Sequence, residues 1–444
     1  MDTSDAVDTI AELSELGIQV PEILLPEPGI DLRTFAVVAC DQFTSEPEYW
    51  DEVDSYVGPA PSALRCVLPE VYLESSDVDD RIRRAQETAA RYCSEGILRS
   101  PGKGMILTQR SLPDGSIREG LVLALDLEAY DFSTGSESLI RATEKTILER
   151  LPPRVRIRMG TAIELPHIMV MIDDSENRVF SYLNSIRAQL PPVYDTELML
   201  GGGSVSGRLL SDTDHMRALA LRLRKLIDPE RLREKYDTDI PLLFPVGDGN
   251  HSLAAARTYW LGLKEQGAPM DHPARYALVE VVNLHGSGMS FHPIHRLVRR
   301  VSVSELYDLL KESGFRQTDG NALDSETIRV HSAHDTSVFA PPEGSSLTVG
   351  LVDSALSSLA ESRNTLSVDY VHDLESLSRW MAEGAVLIEM PAINPHDIVP
   401  TVIRDGALPR KAFSIGEARD KRYYLEARRI RNDNTFNLRA IGVE

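Results

Sequence analysis

Apolar positions along the chain follow two rhythms. Continuous runs bounded by polar residues, "TFAVVACDQF" (34–43), "HIMVMIDD" (167–174), "RYALVEVVNL" (275–284) and "GAVLIEMPAI" (384–393), predict buried strands. "GMILTQRSLPDGSIREGLVLALDL" (104–127) predicts two strands around an Asp-Gly turn. Other segments place apolar side chains on one face of a helix. "DVDDRIRRAQETAARYCSEGIL" (77–98) does so and stops at Gly96, and "DTDHMRALALRLRKLI" (212–227) and 302–313 share the pattern. "SESLIRATEKTILERLPPRV" (136–155) predicts a helix that opens at a serine cap and closes at paired prolines. "PLLFPVGDGNHSLAAARTYWLGL" predicts a strand, a tight polar turn and a helix. Strands and helices mix throughout, so the expected class is α/β or α+β, a mixed sheet with flanking helices.

The same pattern suggests a division. Residues 1–33 read as an acidic leader with a short helix near 4–16 and a proline-punctuated link. Residues 34–316 read as the main α/β part, 317–346 as a loose border, and 347–444 as a C-terminal α/β part. A length of 444 residues with 42% hydrophobic content is ample for more than one core.

Charge narrows the function classes. The net charge of −21 disfavours nucleic acid and anionic lipid as partners. The basic stretches "RVRIRMG" (154–160) and "EARRIRNDN" (426–434) read as solvated faces. An acidic start without an apolar signal region, and no long apolar run, predict a cytoplasmic protein off the membrane. Cys40, Cys66 and Cys93 are too few for a disulfide framework and lack zinc-ligand spacing.

Chemistry concentrates in "VGDGNHSLAAAR" (246–257). Gly249 permits positive φ, Asp248 or Asn250 is expected to cap the new helix, and its first N–H groups form an anion site. His251 is placed to donate to a phosphate oxygen, and Asp248 to hold Mg²⁺ or accept a proton. A capped helix with a packed histidine is the structural alternative. Capping uses one acid or amide, worth ~1 kcal/mol, and leaves the other and the histidine unexplained. Asp41 ends the first core strand, a position that carries functional side chains in α/β proteins. His295-Arg296 and Arg410-Lys411 offer cations that a phosphoryl group requires. "GGGSVSGR" (201–208) lacks the lysine–serine/threonine pair of a P-loop, and its glycines read as a tight bend. No Gly-x-Ser-x-Gly elbow or His-Glu-x-x-His helix occurs.

With these residues in view, the chain resembles the bacterial and archaeal family known as domain of unknown function 1015, whose mark is Asp-Gly-His-His-Arg before a helix. Here the turn is Asp248-Gly249-Asn250-His251-Ser252. "FHPIHRLV" (291–298), "RATEKT" (141–146) and "LPRKAFSIG" (408–416) are similar to further family segments in the same order. The resemblance spans roughly residues 34–430 and adds Glu144 as a second carboxylate. The turn alone also resembles the phosphate-gripping motif of the partition-protein and sulfiredoxin superfamily, which includes free serine kinases. That implies a phosphotransfer enzyme acting with ATP or ADP and Mg²⁺ on a small hydroxylated metabolite, serine or phosphoserine, in either direction. Gly249, Asn250, His295, Arg296, Arg410 and Lys411 would hold phosphate, and Asp248, His251, Asp41 and Glu144 would do the chemistry. The alternative is a nucleotide-responsive binding protein without turnover. Ser252 stands where the pattern carries arginine, so one phosphate-binding cation must come from elsewhere.

Overall fold

The computed structural model describes residues 3–318, 326–343, 347–362, 366–372, 374 and 377–431. The chain divides into two units, residues 1–142, 146–289 and 418–444 in the first, and residues 143–145 and 290–417 in the second. The class is mixed α/β, as the alternation of elements implied.

The first unit is built on a ten-stranded mixed sheet. Its order is Pro192–Glu197, Ser204–Leu210, Met105–Ser111, Ile117–Asp126, Tyr276–Asn283, Met169–Ile172, Phe244–Asp248, Ile140–Ala142 and Tyr130–Asp131, with Ile18–Gln19 also paired to Ile117–Asp126. Most neighbours are antiparallel. Phe244–Asp248 lies antiparallel to Met169–Ile172 and parallel to Ile140–Ala142. Alternation sends Leu121, Leu123, Leu125, Val279 and Val281 to one face, against Leu13, Phe180, Leu219, Leu253 and Trp260 from helices. Ile106, Val122 and Leu278 point to the other, against Trp50, Val53, Ala89 and Tyr424. Both faces are covered, so the central strands read as unbroken apolar runs rather than alternating ones.

The Asp-Gly hairpin forms as the sequence predicts. Gly115 takes φ 85°, Leu112 N–H donates to Ser116 O at 2.9 Å, and Ser111 pairs with Ile117. The helix Val78–Ser94 ends just before Gly96.

The second unit holds an antiparallel six-stranded sheet, Arg316–Thr318, Thr336–Ala340, Ile328–His331, Val386–Glu389, His295–Arg299 and Ser367–Val371. Its helix Val303–Glu312 carries a full capping box between Ser302 and Glu305.

Several expectations are corrected. Residues 34–43 hold no regular strand. A helical turn, Leu32–Phe35, runs into an extended segment whose Val38 bridges Tyr423. Phe35 to Val38 are fully buried, and burial on all sides produced the strand-like run. Residues 136–155 form no single helix. Ile140–Ala142 is a strand, and Pro152 and Pro153 begin the helix Leu151–Gly160 instead of ending one. Proline suits a first helical turn because the N–H it lacks has no partner there. "RVRIRMG" therefore lies on a helix. The leader is no appendage, since Leu13, Leu16 and Ile18 are at most 2% exposed in the main core. The border expected at 317–346 contains the paired strands Ile328–His331 and Thr336–Ala340, and residues 319–325 and 344–346 lie outside the described ones. The divisions fall at 142/143, 145/146, 289/290 and 417/418, and the C-terminal segment returns to the first unit. Of "EARRIRNDN", residues 432–434 lie outside the described residues, while Ala427–Arg429 is a strand.

Candidate functional site

Phe244 and Val246, both fully buried, anchor the strand that delivers Asp248 to its end. Gly249 follows at φ 78°, and a Cβ there would meet Ile168 Cα at 3.0 Å. Both the backbone conformation and the close approach therefore require glycine. The helix Asn250–Glu265 starts immediately, with Gly249 at its N-cap and no side chain capping it. This corrects the expected cap. Asp248 Oδ1 instead accepts the Gly249 N–H at 3.0 Å, Oδ2 pairs with Lys421 Nζ at 2.9 Å, and Asn250 Nδ2 donates back to Val246 O at 3.4 Å. His251 Nε2 accepts the Ile147 N–H at 3.2 Å.

A second acid arrives from the 37–42 segment. The returning C-terminal chain fixes it, with Ala39 N–H donating to Arg422 O at 2.8 Å and Tyr424 N–H to Val37 O at 2.9 Å. Asp41 Oδ2 then lies 3.7 Å from His167 Nε2. His167 itself precedes the strand Met169–Ile172, and Arg422 Nε holds the carbonyl of the neighbouring Pro166 at 3.1 Å. Its Nδ1 meets Tyr424 Oη at 2.9 Å and its Nε2 meets Ser252 Oγ at 2.8 Å. Tyr424 Oη also accepts the Cys40 N–H at 3.0 Å.

Electrostatics tie these groups into one set. Burial works against a charged His167, but Asp41, the Cys40 side chain and Asp248 outweigh it and raise the imidazole to about 10. Burial also penalises the Asp41 carboxylate, yet His167, the Gln42 amide and Lys421 hold it below the usual range. His167 is thus an imidazolium at neutral pH, donating from both nitrogens. A protonated ring takes no proton from Ser252, and Asp41 stands on the same nitrogen as the serine. The trio is therefore no hydrolytic triad. Two acids, Asp41 and Asp248, alternate with two cations, His167 and Lys421, at the start of an uncapped sixteen-residue helix.

Beneath this set a buried charge network clamps residues 418–428 onto the sheet. Arg110 donates to the carbonyls of Lys421, Arg419 and Gly202, and Arg118 to that of Asp420. Arg422 pairs with Glu280 at 3.2 Å and with Glu426 at 2.6 Å. Lys421 is held beside Asp248 by this clamp.

The remaining candidates belong to the second unit. Arg296 is 0% exposed and grips Asp353 with two bonds of 2.8 Å while donating to the carbonyls of Ile294, Lys411 and Arg410. Its guanidinium is committed within its own unit, contrary to a phosphate-holding role. His295 Nδ1 accepts the Met390 N–H at 3.0 Å, and burial lowers its pKa, so it is no cation for phosphate. Glu144 lies on an extended segment bridged to Leu408 rather than on a helix. Arg410 is exposed over the Tyr370 ring at 5.6 Å, and Lys411 takes φ 54°.

Among the described residues no group of three or more His, Cys, Asp or Glu is arranged to hold a metal ion. Mg²⁺ is commonly held by one or two carboxylates together with substrate phosphates. Asp248, at the helix start, is the carboxylate that would hold Mg²⁺ there.

The geometry defines an α/β protein with a paired-charge site at a strand–glycine–helix junction. Residues 24–369 match the family described as protein of unknown function (DUF1015), and the chain belongs to that family. The match stops short of "LPRKAFSIG". No curated protein matches the chain. Among solved structures it is similar to a conserved hypothetical protein from Pyrococcus furiosus, at 12% identity and TM-score 0.35 over 68% of this chain and 95% of that one. A free serine kinase in complex with AMP is similar at 10% identity and TM-score 0.36, over 68% and 90%. SbnI from Staphylococcus aureus, truncated at its C-terminus, is similar at 13% and TM-score 0.28, over 58% and 83%.

Sequence reasoning missed His167, Lys421 and Tyr424. A usable signal existed for the first: a polar residue just ahead of an apolar run marks a strand mouth as well as one just behind it. Nothing local marks Lys421, whose position depends on the chain's return to the first unit.

Proposed function

We propose that the first unit is a phosphotransfer enzyme acting on a small hydroxylated metabolite. The observation that carries this reading is the Asp248–Gly249 junction, where an uncapped helix N-terminus stands beside Lys421 and the charged His167. Oriented N–H groups favour phosphoryl oxygens at this junction, and Lys421 and His167 offset the charges of Asp248 and Asp41 that would otherwise repel them. Phosphoryl transfer depends mainly on positioning and charge stabilisation, which this arrangement supplies. Lys421 supplies the cation that Ser252 does not. Asp41 orients the hydroxyl and receives its proton, and Asp248 would hold Mg²⁺, which would supply further charge for phosphate. ATP or ADP is the partner nucleotide under this reading, and serine and phosphoserine are the first compounds to try.

Phosphorus NMR of the full chain with Mg²⁺, ATP or ADP, and serine, phosphoserine or another small alcohol tests it. Transfer is expected, reduced by ~100-fold or more in Lys421→Met and in Asp248→Asn. Nucleotide binding without transfer to any compound would favour a nucleotide-responsive binding protein instead. Transfer unaltered in both variants would overturn the site assignment.

A further inference from the structure

In the first unit lies a cavity of about 140 Å³ with His167 and Ser252 in its lining. Leu68, Ile82, Ala85, Ile157 and Leu165 supply an apolar wall. This volume is close to the ~150 Å³ of a protein cavity that takes a benzene ring. Each charged residue of the lining already holds an opposite partner. Glu70 pairs with Arg154, their side chains 17% and 16% exposed, and Glu164 lies between Arg158 at 2.6 Å and Arg428 at 2.7 Å. His167 has Asp41, outside the lining, at 3.7 Å. An occupant with net charge would enter without a counter-charge, and an uncompensated charge in such surroundings is strongly disfavoured.

We infer that this cavity takes a net-neutral hydroxylated compound with an apolar body about the size of one ring, its hydroxyl set against Ser252 Oγ. It is the acceptor substrate, an identification that rests on the transfer reading above. In that step the hydroxyl oxygen forms a bond to the terminal phosphorus of the nucleotide, and the hydroxyl proton passes to Asp41. The bond from that phosphorus to its bridging oxygen breaks, with the electron pair leaving on the shortened nucleotide. Serine fits the chemistry of the hydroxyl but leaves the apolar wall unfilled.

Calorimetry on the full chain separates the possibilities with three probes: benzyl alcohol, serine, and para-(hydroxymethyl)benzoate, which adds a charge to the same ring. Benzyl alcohol is expected to bind at least about tenfold more tightly than either of the others. Ala85→Phe, which fills the cavity, is expected to abolish that preference while the melting temperature and nucleotide binding hold. Ile82→Phe serves the same purpose should the first variant fail to fold. Equal or tighter binding of serine or the benzoate, or benzyl alcohol binding unchanged in a folded cavity-filling variant, would overturn the assignment. Benzyl alcohol binding with the expected preference but without transfer supports the cavity assignment and overturns the transfer reading alone.

Discussion

His167 acts as a fixed cation because of what surrounds it, and the same surroundings make it a pH-dependent contributor to stability. Its folded pKa, about 10, stands above the ~6.5 of an unfolded histidine. A raised folded value means that the folded state holds the proton more tightly. The contribution is complete below about pH 6.5 and is withdrawn as pH rises through about 10. Urea midpoints measured from pH 6 to 10 are expected to fall for the wild type and to fall less steeply for His167→Gln. Equal slopes would remove the charged-histidine description of the site. At this scale the sequence was half legible. Asp41 and Asp248 are legible as candidates because each follows an apolar run, and Gly249 because only glycine suits its turn. His251 accepts the N–H of Ile147, which lies on an extended segment where periodicity predicts a helix.

Elements were legible wherever local chemistry decided them. The Asp114–Gly115 hairpin, the strand–turn–helix at 244–265 and the helix ending at Gly96 follow from turn and periodicity rules that need no distant partner. Errors came where burial imitates a secondary-structure signal, as at 34–43, or where one residue type has two meanings, as with the prolines at 152–153. The element-scale lesson for Arg296 is similar. A cation next to a histidine suggests phosphate, but the strand His295–Arg299 sits inside a sheet between Val386–Glu389 and Ser367–Val371. An arginine at such a position is 0% exposed and must find its counter-charge inside the unit, which it does in Asp353. Asp353→Ala leaves that guanidinium buried and uncompensated, at a cost of about 3–5 kcal/mol to the second unit. Thermal unfolding should show a loss of that order. A melting temperature equal to the wild type's would return Arg296 to the list of available cations.

At the scale of the whole chain, the decisive feature is that residues 418–431 belong to the unit that begins the sequence. They carry Lys421 to Asp248, Arg422 to Glu280 and Tyr424 to His167, and they bridge the 37–39 segment that aims Asp41. A reading that moves along the sequence assigns them to the last domain, because only long-range pairing brings them back. Truncation after Glu417 therefore acts on the first unit. It leaves Glu280 and Arg118 buried without Arg422 and Asp420, and it exposes core otherwise covered by Tyr423, Tyr424 and Leu425, which are 1–5% exposed. Removing the partner of one buried ion pair costs about 3–5 kcal/mol, and a domain's whole stability is of order 5–15 kcal/mol. The truncated chain is expected to lose both the transfer proposed above and the cooperative unfolding of the first unit. Adding a synthetic peptide of residues 418–431 should restore part of each, as its side chains re-enter the clamp. A truncated chain that unfolds cooperatively at the wild-type temperature would show that the clamp holds neither the sheet nor the site.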